Sequence, residues 1–263
     1  MEIVCPAKYP GIQRLVDAIP ILADQGVTAI ELGADPPEYF DYRDAYEVQD
    51  MLPRLVASGI RVHSVHARYG PTYDISSPDD KVHERGVDAL IDAIEVATVL
   101  GAERVIVHAS DVVSDGRMRR LDRARGVLRE VAVVAKQSGA VLALENLGPE
   151  CFGHTPDEIF QLLNGTNSET IGVCFDSGHA NLSGRFAEFM DALLPHAVVM
   201  HLHDNDGKGD QHRFPGEGNI DWRRFASAYR AANCDASVIL DCAPPDKLAW
   251  SEAFQRFRKT LGE

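Results

Sequence analysis

Short apolar runs alternate with longer segments of helical period along almost the whole chain. The apolar runs are four to six residues long and rich in Val and Ile, which is typical of strands buried on both faces. We predict eight strands, at residues 2–5, 27–32, 60–65, 104–108, 140–145, 171–175, 197–202 and 236–241.

Between these runs, apolar positions recur at the spacing i, i+3, i+4 and i+7 of an amphipathic helix. In residues 79–100 the pattern follows Ser77-Pro78-Asp79-Asp80, which we expect to supply an N-cap and a first-turn proline, and it stops at Gly101. Further helices are predicted at 118–138, from Thr155 to Gly165, and at 222–232 with Asp221 as N-cap.

Eight strands alternating with about eight helices indicate an α/β protein with a parallel sheet. Eight such units in 263 residues predict a closed (β/α)8 TIM barrel, with residues 1–263 as a single domain. A doubly wound open sheet is the alternative, but no GxGxxG fingerprint follows the first strand.

The balance of charge disfavours several classes of partner. The chain has 26 Lys and Arg against 40 Asp and Glu, a net charge of −14 that repels nucleic acid and anionic lipid. One basic cluster, Arg117, Arg119 and Arg120, is expected to be the solvated start of a helix. No apolar run approaches the ~18 residues of a membrane span. We therefore predict a small-molecule, sugar-like substrate and no membrane, and the charge disfavours nucleic acid as a partner.

The cysteines and the start of the chain favour the cytoplasm. The five cysteines are odd in number and form no CxxC pair, as expected of free thiols in a reducing compartment. The start, MEIVCPAKYPG, lacks the basic and apolar regions of a signal peptide. The sequence leaves the oligomeric state, including a homodimer, open.

Seven consecutive predicted strands end in acidic or histidine side chains. Because the active site of such a barrel lies at the carboxyl ends of its strands, these groups should converge on one small volume. Packed carboxylates repel one another unless a cation neutralises them, which predicts a divalent metal site. Imidazole and carboxylate ligands suit Zn²⁺, Mn²⁺, Co²⁺ or Fe²⁺. The strand-end residues are Glu31, His66, His108, Glu145, Asp176, His201 and Asp241.

The segment after the seventh strand carries further candidates. Asp210 and His212 are two residues apart, so in extended backbone both would point to one side. Lys208 and Arg213 are expected to hold an anionic or hydroxyl-bearing substrate. The sequence Pro215-Gly216-Glu217-Gly218 predicts a turn of fixed shape.

Three segments carry a resemblance to a known superfamily: LALENLG at 142–148, FDSGHANL at 175–182 and HLHDNDGKGDQHRFPGEGNIDW at 201–222. They resemble the xylose isomerase-like barrels. This superfamily includes sugar isomerases and epimerases, inosose and dehydroshikimate dehydratases, and the endonuclease IV DNA-repair enzymes. The resemblance extends over nearly the whole chain.

The resemblance to the sugar epimerases implies four metal ligands, matched here by Glu145, Asp176, His201 and Asp241. Asp241 stands where this branch usually has glutamate, so its reach as an acid or base is shorter. The resemblance also implies substrate contacts by His179 and Arg213, to which we add Glu31 and Lys208 as candidates.

The resemblance to endonuclease IV implies nine ligands for three metal ions. They are matched by His66, His108, Glu145, Asp176, His179, His201, Asp210, His212 and Asp241. A tyrosine three residues after the first histidine recurs as Tyr69. The resemblance therefore predicts between one and three divalent ions, with Zn, Mn or Co as the expected metals.

The preferred hypothesis is a metal-dependent isomerase or epimerase of a ketose or related polyhydroxy carbonyl compound. The metal would bind the carbonyl and neighbouring hydroxyl oxygens and stabilise the enediolate formed by proton abstraction. Glu145 and Asp241 would remove and return the proton.

Two other enzyme classes stay open. One is an endonuclease IV-like phosphoester hydrolase with two or three metal ions. The other is a keto-polyol dehydratase or lyase, which begins with the same proton abstraction and then loses water. A barrel outside the enzymes, with a structural or regulatory metal or with none, is disfavoured, because burying so many ionisable groups costs stability that folding alone does not require.

Overall fold

The computed structural model describes residues 1–33 and 38–263. Within them, parallel strands close into a barrel in chain order, with the last strand hydrogen-bonded to the first. The strands are β1 Ile3–Pro6, β2 Ala29–Leu32, β3 Arg61–His66, β4 Arg104–Val107, β5 Val141–Glu145, β6 Ile171–Asp176, β7 Ala197–His201 and β8 Ser237–Ile239. The α-helices are α1 Leu15–Asp24, α2 Ala45–Ser58, α3 Asp80–Leu100, α4 Arg117–Gln137, α5 Pro156–Leu163, α6 Ser177–Leu182, α7 Phe186–Leu193, α8 Trp222–Ala231 and α9 Trp250–Leu261.

The predicted TIM barrel is confirmed, and each strand lies within two residues of its predicted bounds. The start of α3 differs from the prediction. Its N-cap is Asp79, whose carboxylate accepts hydrogen bonds from the backbone N–H of Lys81 and Val82. Ser77 caps the turn before it, accepting from the N–H of Asp79. Asp79 takes the capping role because it directly precedes the first helical residue, Asp80, so its carboxylate faces the second and third helical N–H groups.

Two apolar layers hold the barrel. The larger one lies between the strands and the surrounding helices. The smaller one fills the interior and is built mainly of short side chains: Val4, Ala29, Ile106, Ala143, Cys174, Val199 and Ile239. This arrangement resembles the layered filling of other TIM barrels and leaves the carboxyl ends of the strands for polar groups.

The prediction of a solvated basic cluster at the start of α4 is wrong for Arg120. Arg120 is 7% exposed, and its guanidinium lies 2.6 Å from Oδ2 of Asp74. Arg117 is partly buried and pairs with Glu158. A buried guanidinium needs a paired carboxylate, and here the carboxylates come from loops and helices distant in sequence. Arg119 alone of the three is exposed, as predicted.

The described residues can be compared with two of the predictions that concern cellular location, the absence of a membrane span and the free cysteines. None of the helices in this part of the chain has the length and apolar character that a membrane span needs. The five cysteines are free thiols, as predicted. The cytoplasmic location and the homodimer stay predictions.

Candidate metal centre

A cavity of about 360 Å³ opens at the carboxyl ends of the strands. Most of the residues predicted from the strand ends converge there, as the barrel rule requires. Its lining is Pro6, Lys8, Glu31, Gly33, His66, Tyr69, His108, Glu145, His179, His201, Asp210, His212 and Asp241. Asp176 belongs to the same cluster and is fully buried.

Glu145, at the end of β5, lies at the centre of the inner part of this site and is 2% exposed. Three imidazole rings lie within 3.5 Å of one of its carboxylate oxygens, Oε2. Oε2 lies 3.1 Å from Nε2 of His108 and 3.3 Å from Nε2 of His66. The same oxygen lies 3.5 Å from Nδ1 of His201. The other oxygen, Oε1, lies 3.5 Å from Nδ1 of His179.

Asp210 and His212 form the outer part of the site, on the loop after β7. Oδ2 of Asp210 lies 3.2 Å from Nε2 of His212 and 3.5 Å from Nε2 of His179. Nδ1 of His212 lies 3.3 Å from Oδ2 of Asp241. The two residues on this loop therefore do face the same side, as their spacing predicts.

His203 is a further member of the site that sequence reasoning did not assign, although it stands just beyond the end of β7. It is fully buried, and its Nε2 lies 3.2 Å from Oδ2 of Asp176. Its ring stacks on that of His212, with centroids 3.9 Å apart. The signal was present in the sequence, because His203 follows His201 by two residues.

The distances between these donor atoms fit a divalent ion. Ligands held at 2.0–2.1 Å in a tetrahedron lie about 3.3 Å apart, and the contacts above span 3.1–3.5 Å. Several groups of three residues place their donor atoms within 4.8 Å of one another, among them Asp176, His201 and Asp241. The donors are imidazole nitrogens and carboxylate oxygens, which suit zinc or manganese. The residues present therefore fit the predicted metal.

The charges at the site favour ionised carboxylates. Burial would raise the pKa of Glu145, but His201 and His108 hold it well below the usual value. Burial likewise opposes ionisation of Asp241, yet His212 and His201 lower the pKa of that carboxyl. Each of these two carboxylates can thus accept a proton.

The same contacts favour protonated imidazole rings at His179 and His212. Burial would lower the pKa of His179, but Asp176, Asp210 and Glu145 raise it well above the usual value. Burial also opposes the charge on His212, yet hydrogen bonds to Asp210 and Asp241 raise its pKa to about 11. A divalent ion bound at these nitrogens would displace such protons.

Asp204 shapes the loop that carries Asp210 and His212. Its two carboxylate oxygens accept four hydrogen bonds, from the backbone N–H groups of Asn205, Gly216 and Ile220 and from Nε1 of Trp222. Trp222 is 3% exposed, so it fastens this loop to the start of α8. The turn predicted at Pro215-Gly216-Glu217-Gly218 is held in the same way.

Three predicted substrate contacts differ in their placement. Glu31 lines the cavity, whereas Arg213 and Lys208 lie outside its lining. The Arg213 guanidinium lies 3.3 Å from the carbonyl oxygen of Glu217 and 3.7 Å from Oδ2 of Asp206. The substrate roles of these residues stay predictions.

Two lining residues contribute groups outside the predicted site set. Lys8 follows β1 by two residues, so the strand-end rule could have found it. Tyr69 is 51% exposed and stacks on His108, with ring centroids 4.2 Å apart. Lys8 and Tyr69 therefore line the cavity together with the carboxylates and imidazoles.

Comparisons with known proteins agree with this fold. The profile of a family described as Xylose isomerase-like TIM barrel matches residues 19–260. The uncharacterized protein MJ1311 of Methanocaldococcus jannaschii is 32% identical over 87% of this chain and 79% of its own length. A probable endonuclease 4 of Methanoculleus marisnigri is 29% identical, over 73% of this chain and 77% of the relative. An inosose isomerase of Bacillus subtilis is 25% identical, over 69% of each chain.

Solved structures show the same architecture. A D-tagatose 3-epimerase-like protein superposes with a TM-score of 0.85 at 23% identity, covering 100% of this chain and 98% of that one. The IOLI protein with a bound zinc atom superposes with a TM-score of 0.80 at 22% identity, covering 99% and 96%. At these identities the likeness establishes the barrel and not the reaction.

Proposed function

Because this chain belongs to the xylose isomerase-like TIM barrel family, we propose that it is a divalent-metal-dependent isomerase or epimerase. The substrate class is a ketose or a related polyhydroxy carbonyl compound. The inosose isomerase relative and the epimerase-like structural neighbour support this class. The net charge of −14 suits a neutral sugar better than a polyanion.

The observation that carries the proposal is the convergence of one imidazole, His201, with the carboxylates of Asp176 and Asp241, whose donor atoms lie within 4.8 Å of one another, while Nδ1 of His201 also lies 3.5 Å from Oε2 of the buried Glu145. A cluster of imidazole and carboxylate donors of this kind is what a divalent ion requires. Glu145, Asp176, His201 and Asp241 are the residues that would hold it. The IOLI structure with its zinc atom supports a metal in such a barrel.

Two carboxylates of the chain would carry out the two proton transfers of the reaction. A divalent ion held there would supply Lewis-acid stabilisation to the enediolate left when the C–H bond beside the carbonyl loses its proton. Glu145 and Asp241 are the ionised carboxylates available to remove and return that proton. His179, 15% exposed at its side chain, would hold a substrate hydroxyl at the rim.

Deuterium exchange tests this function. The metal-loaded protein is incubated with a panel of ketoses and inososes in D₂O, and the recovered sugars are analysed by mass spectrometry. We expect one deuterium beside the carbonyl, and a loss of exchange of about 10²-fold or more in Glu145→Gln. Glu188→Gln, on an exposed ion pair with Arg185, is the matched control. Exchange at the wild-type rate in Glu145→Gln that retains metal would contradict the proposal.

A second function, hydrolysis of a phosphate ester by two or three metal ions, is favoured by one specific observation. His66 and His108 lie close to Glu145, while His179 and His212 lie close to Asp210, so the donors form more than one group. Ions in neighbouring groups would clamp the attacking and leaving oxygens. The probable endonuclease 4 relative supports this alternative.

Metal content separates the two functions. The hydrolase requires His66 and His108 as ligands, so His108→Ala would contain at least one ion fewer per chain than the wild type. Unchanged metal content in that variant, with lower activity on a ketose, would support the isomerase. Cleavage of DNA at an abasic site by the wild type, without deuterium exchange, would support the hydrolase.

A further inference from the structure

Buried polar side chains contact one another in a continuous series inside the barrel, from the candidate metal centre to its opposite end. We call this series, His201, Glu31, Ser64, His63 and Ser237, the polar file. It starts at His201, whose Nε2 lies 3.0 Å from Oε1 of Glu31. Oε2 of Glu31 accepts a 2.6 Å hydrogen bond from Oγ of Ser64. Nδ1 of His63 lies 3.1 Å from Oγ of Ser64, and its Nε2 lies 2.5 Å from Oγ of Ser237. His63 and Ser237 line a cavity of about 460 Å³ at the opposite end of the barrel.

An irregularity in the sheet makes this file possible. Ile30 of β2 pairs with Val62 of β3. The next residue, Glu31, pairs with Ser64, so His63 has no partner in β2. An extra residue of this kind redirects the side chains next to it. Two consecutive residues, His63 and Ser64, therefore both take part in the file.

The fold does not require these polar groups. The interior of a TIM barrel is normally filled by layers of apolar side chains, and Ala29, two residues before Glu31, belongs to such a layer here. Glu31 is 5% exposed, His63 7% and Ser64 0%. Because burying a carboxylate and an imidazole is unfavourable unless each is paired, we look for their role at the site they reach.

The directions of the hydrogen bonds follow from the available protons. Ser64 has one hydroxyl proton and donates it to Glu31, so its oxygen accepts from Nδ1 of His63. Burial lowers the pKa of His63, which favours the neutral ring, and Nε2 of that ring is left to accept from Ser237. A carboxylate only accepts, so Glu31 requires a proton on the His201 nitrogen that faces it.

The nitrogen of His201 that faces Glu31 has no better acceptor. It is buried, and its 3.0 Å contact with Glu31 is an ion pair that is not aligned as a hydrogen bond, while no other described residue makes a hydrogen bond to it. The thiol of Cys174 also interacts with the His201 ring but is a weak acceptor. The Glu31 carboxylate, at 3.0 Å, is the strong acceptor within reach.

We propose that Glu31 is a positioning residue that fixes the tautomer of His201, with the proton on Nε2 and the Nδ1 lone pair free to bind a metal ion. This inference rests on the proposed function, because it assumes that His201 is a metal ligand. Nδ1 is the nitrogen on the side of the metal centre, 3.5 Å from Oε2 of Glu145. Both oxygens of Glu31 are then engaged, one by Ser64 and one by His201, which replaces the substrate contact expected from the sequence.

Metal affinity tests the proposal. Glu31→Gln removes the charge from the carboxylate, and Ser64→Ala removes the hydroxyl that holds it, while His201 is unchanged in both. Loss of such a supporting partner typically weakens metal binding about 10–100-fold, and we expect an increase of this size in the Kd for Zn²⁺. The Kd is measured by competition with a chromophoric chelator.

Ser110→Ala is the matched control for Ser64→Ala. Ser110 is also buried, at 4% exposed, and its Oγ accepts a 2.8 Å hydrogen bond from the N–H of Phe152 and makes no hydrogen bond to Glu31 or His201. The control should lose a similar amount of stability in thermal unfolding and keep the wild-type Kd. A Kd that rises equally in Ser110→Ala would show that any loss of a buried hydroxyl is sufficient, and would overturn the proposal.

The tautomer itself is visible by NMR. Long-range ¹H–¹⁵N correlation spectra of the zinc-loaded wild type should show His201 with a proton on Nε2 and zinc on Nδ1. Zinc on Nε2, or wild-type affinity in both Glu31→Gln and Ser64→Ala, would overturn the inference alone. A wild-type protein that binds no zinc would overturn the proposed function, and this inference with it.

Discussion

Glycine at position 178 leaves the space that the ring of His203 occupies. A Cβ built on Gly178 would lie 1.9 Å from Cε1 of that ring, a distance at which one of the two must move. His203 cannot move freely, because its ring stacks on His212 and its backbone N–H donates to Ser177. Because Gly178 has no Cβ, the ring of His203 can lie beside Asp176.

We expect Gly178→Ala to weaken zinc binding about tenfold or more, because it displaces a group that supports a ligand carboxylate. Gly126→Ala, at a helical position in α4 where a Cβ meets nothing within 4 Å, is the control. It should leave zinc binding unchanged and stabilise the protein by about 0.5–1 kcal/mol. Chelator competition and urea unfolding measure the two effects, and equal zinc affinity in both variants would refute the role of His203.

At the scale of elements, buried aspartates join loops that bear the site to helices later in the chain. Asp74 lies between β3, which ends in His66, and α3. Its carboxylate pairs with Arg120 of α4, and both side chains are at most 8% exposed. Asp204 connects the loop after β7 to the start of α8, because its carboxylate oxygens accept four hydrogen bonds from that loop and from Trp222. Each connection holds a loop of the metal centre to a rigid part of the barrel.

The Asp74–Arg120 pair makes a clear stability prediction. Arg120→Ala leaves a buried carboxylate without its partner, which costs about 3–5 kcal/mol of the free energy of unfolding. Arg54→Ala removes an exposed pair with Asp50 and should cost less than about 0.5 kcal/mol. Urea denaturation compares the two variants. Losses of similar size would show that the buried pair contributes no more than the exposed one.

At the scale of the whole molecule, protons and a metal ion compete for the same imidazole nitrogens at the carboxyl ends of the strands. Burial opposes a charge on His201, but Cys174, Glu31 and Glu145 raise its pKa well above the usual value when no metal ion is bound. This interaction contributes stability that is fully present below the unfolded pKa of about 6.5 and is lost as the pH rises through the folded pKa. A metal ion bound at His201 would take the place of a proton, so metal affinity should increase as the pH rises above about 6.5.

Titration calorimetry measures that competition. We expect at least one proton to be released per zinc ion at pH 7, since neutral imidazole is the form that binds. Measurements in two buffers of different ionisation enthalpy give the number of protons directly. The Kd for zinc should decrease between pH 6.5 and 8. Binding that releases no proton and does not change with pH would contradict the assignment of His201 as a ligand.

The barrel and most residues of the metal centre could be predicted from the sequence. Buried parallel strands are continuous apolar runs, and their carboxyl ends meet at one face, which is why Glu145 and His201 could be identified. The buried role of Arg120 could not, because its partner Asp74 lies 46 residues away. The position of Glu31 depends on the register shift at His63, which no periodicity reveals.

Metal content per chain tests the central claim most directly. The protein is purified without chelator, incubated with zinc, manganese or cobalt, desalted and analysed by mass spectrometry. The account predicts at least one tightly bound divalent ion per chain, and its loss in Asp176→Asn, which removes one of the four proposed ligands. A wild-type chain that retains none of the three metals, or an Asp176→Asn chain that retains as much as the wild type, would contradict it.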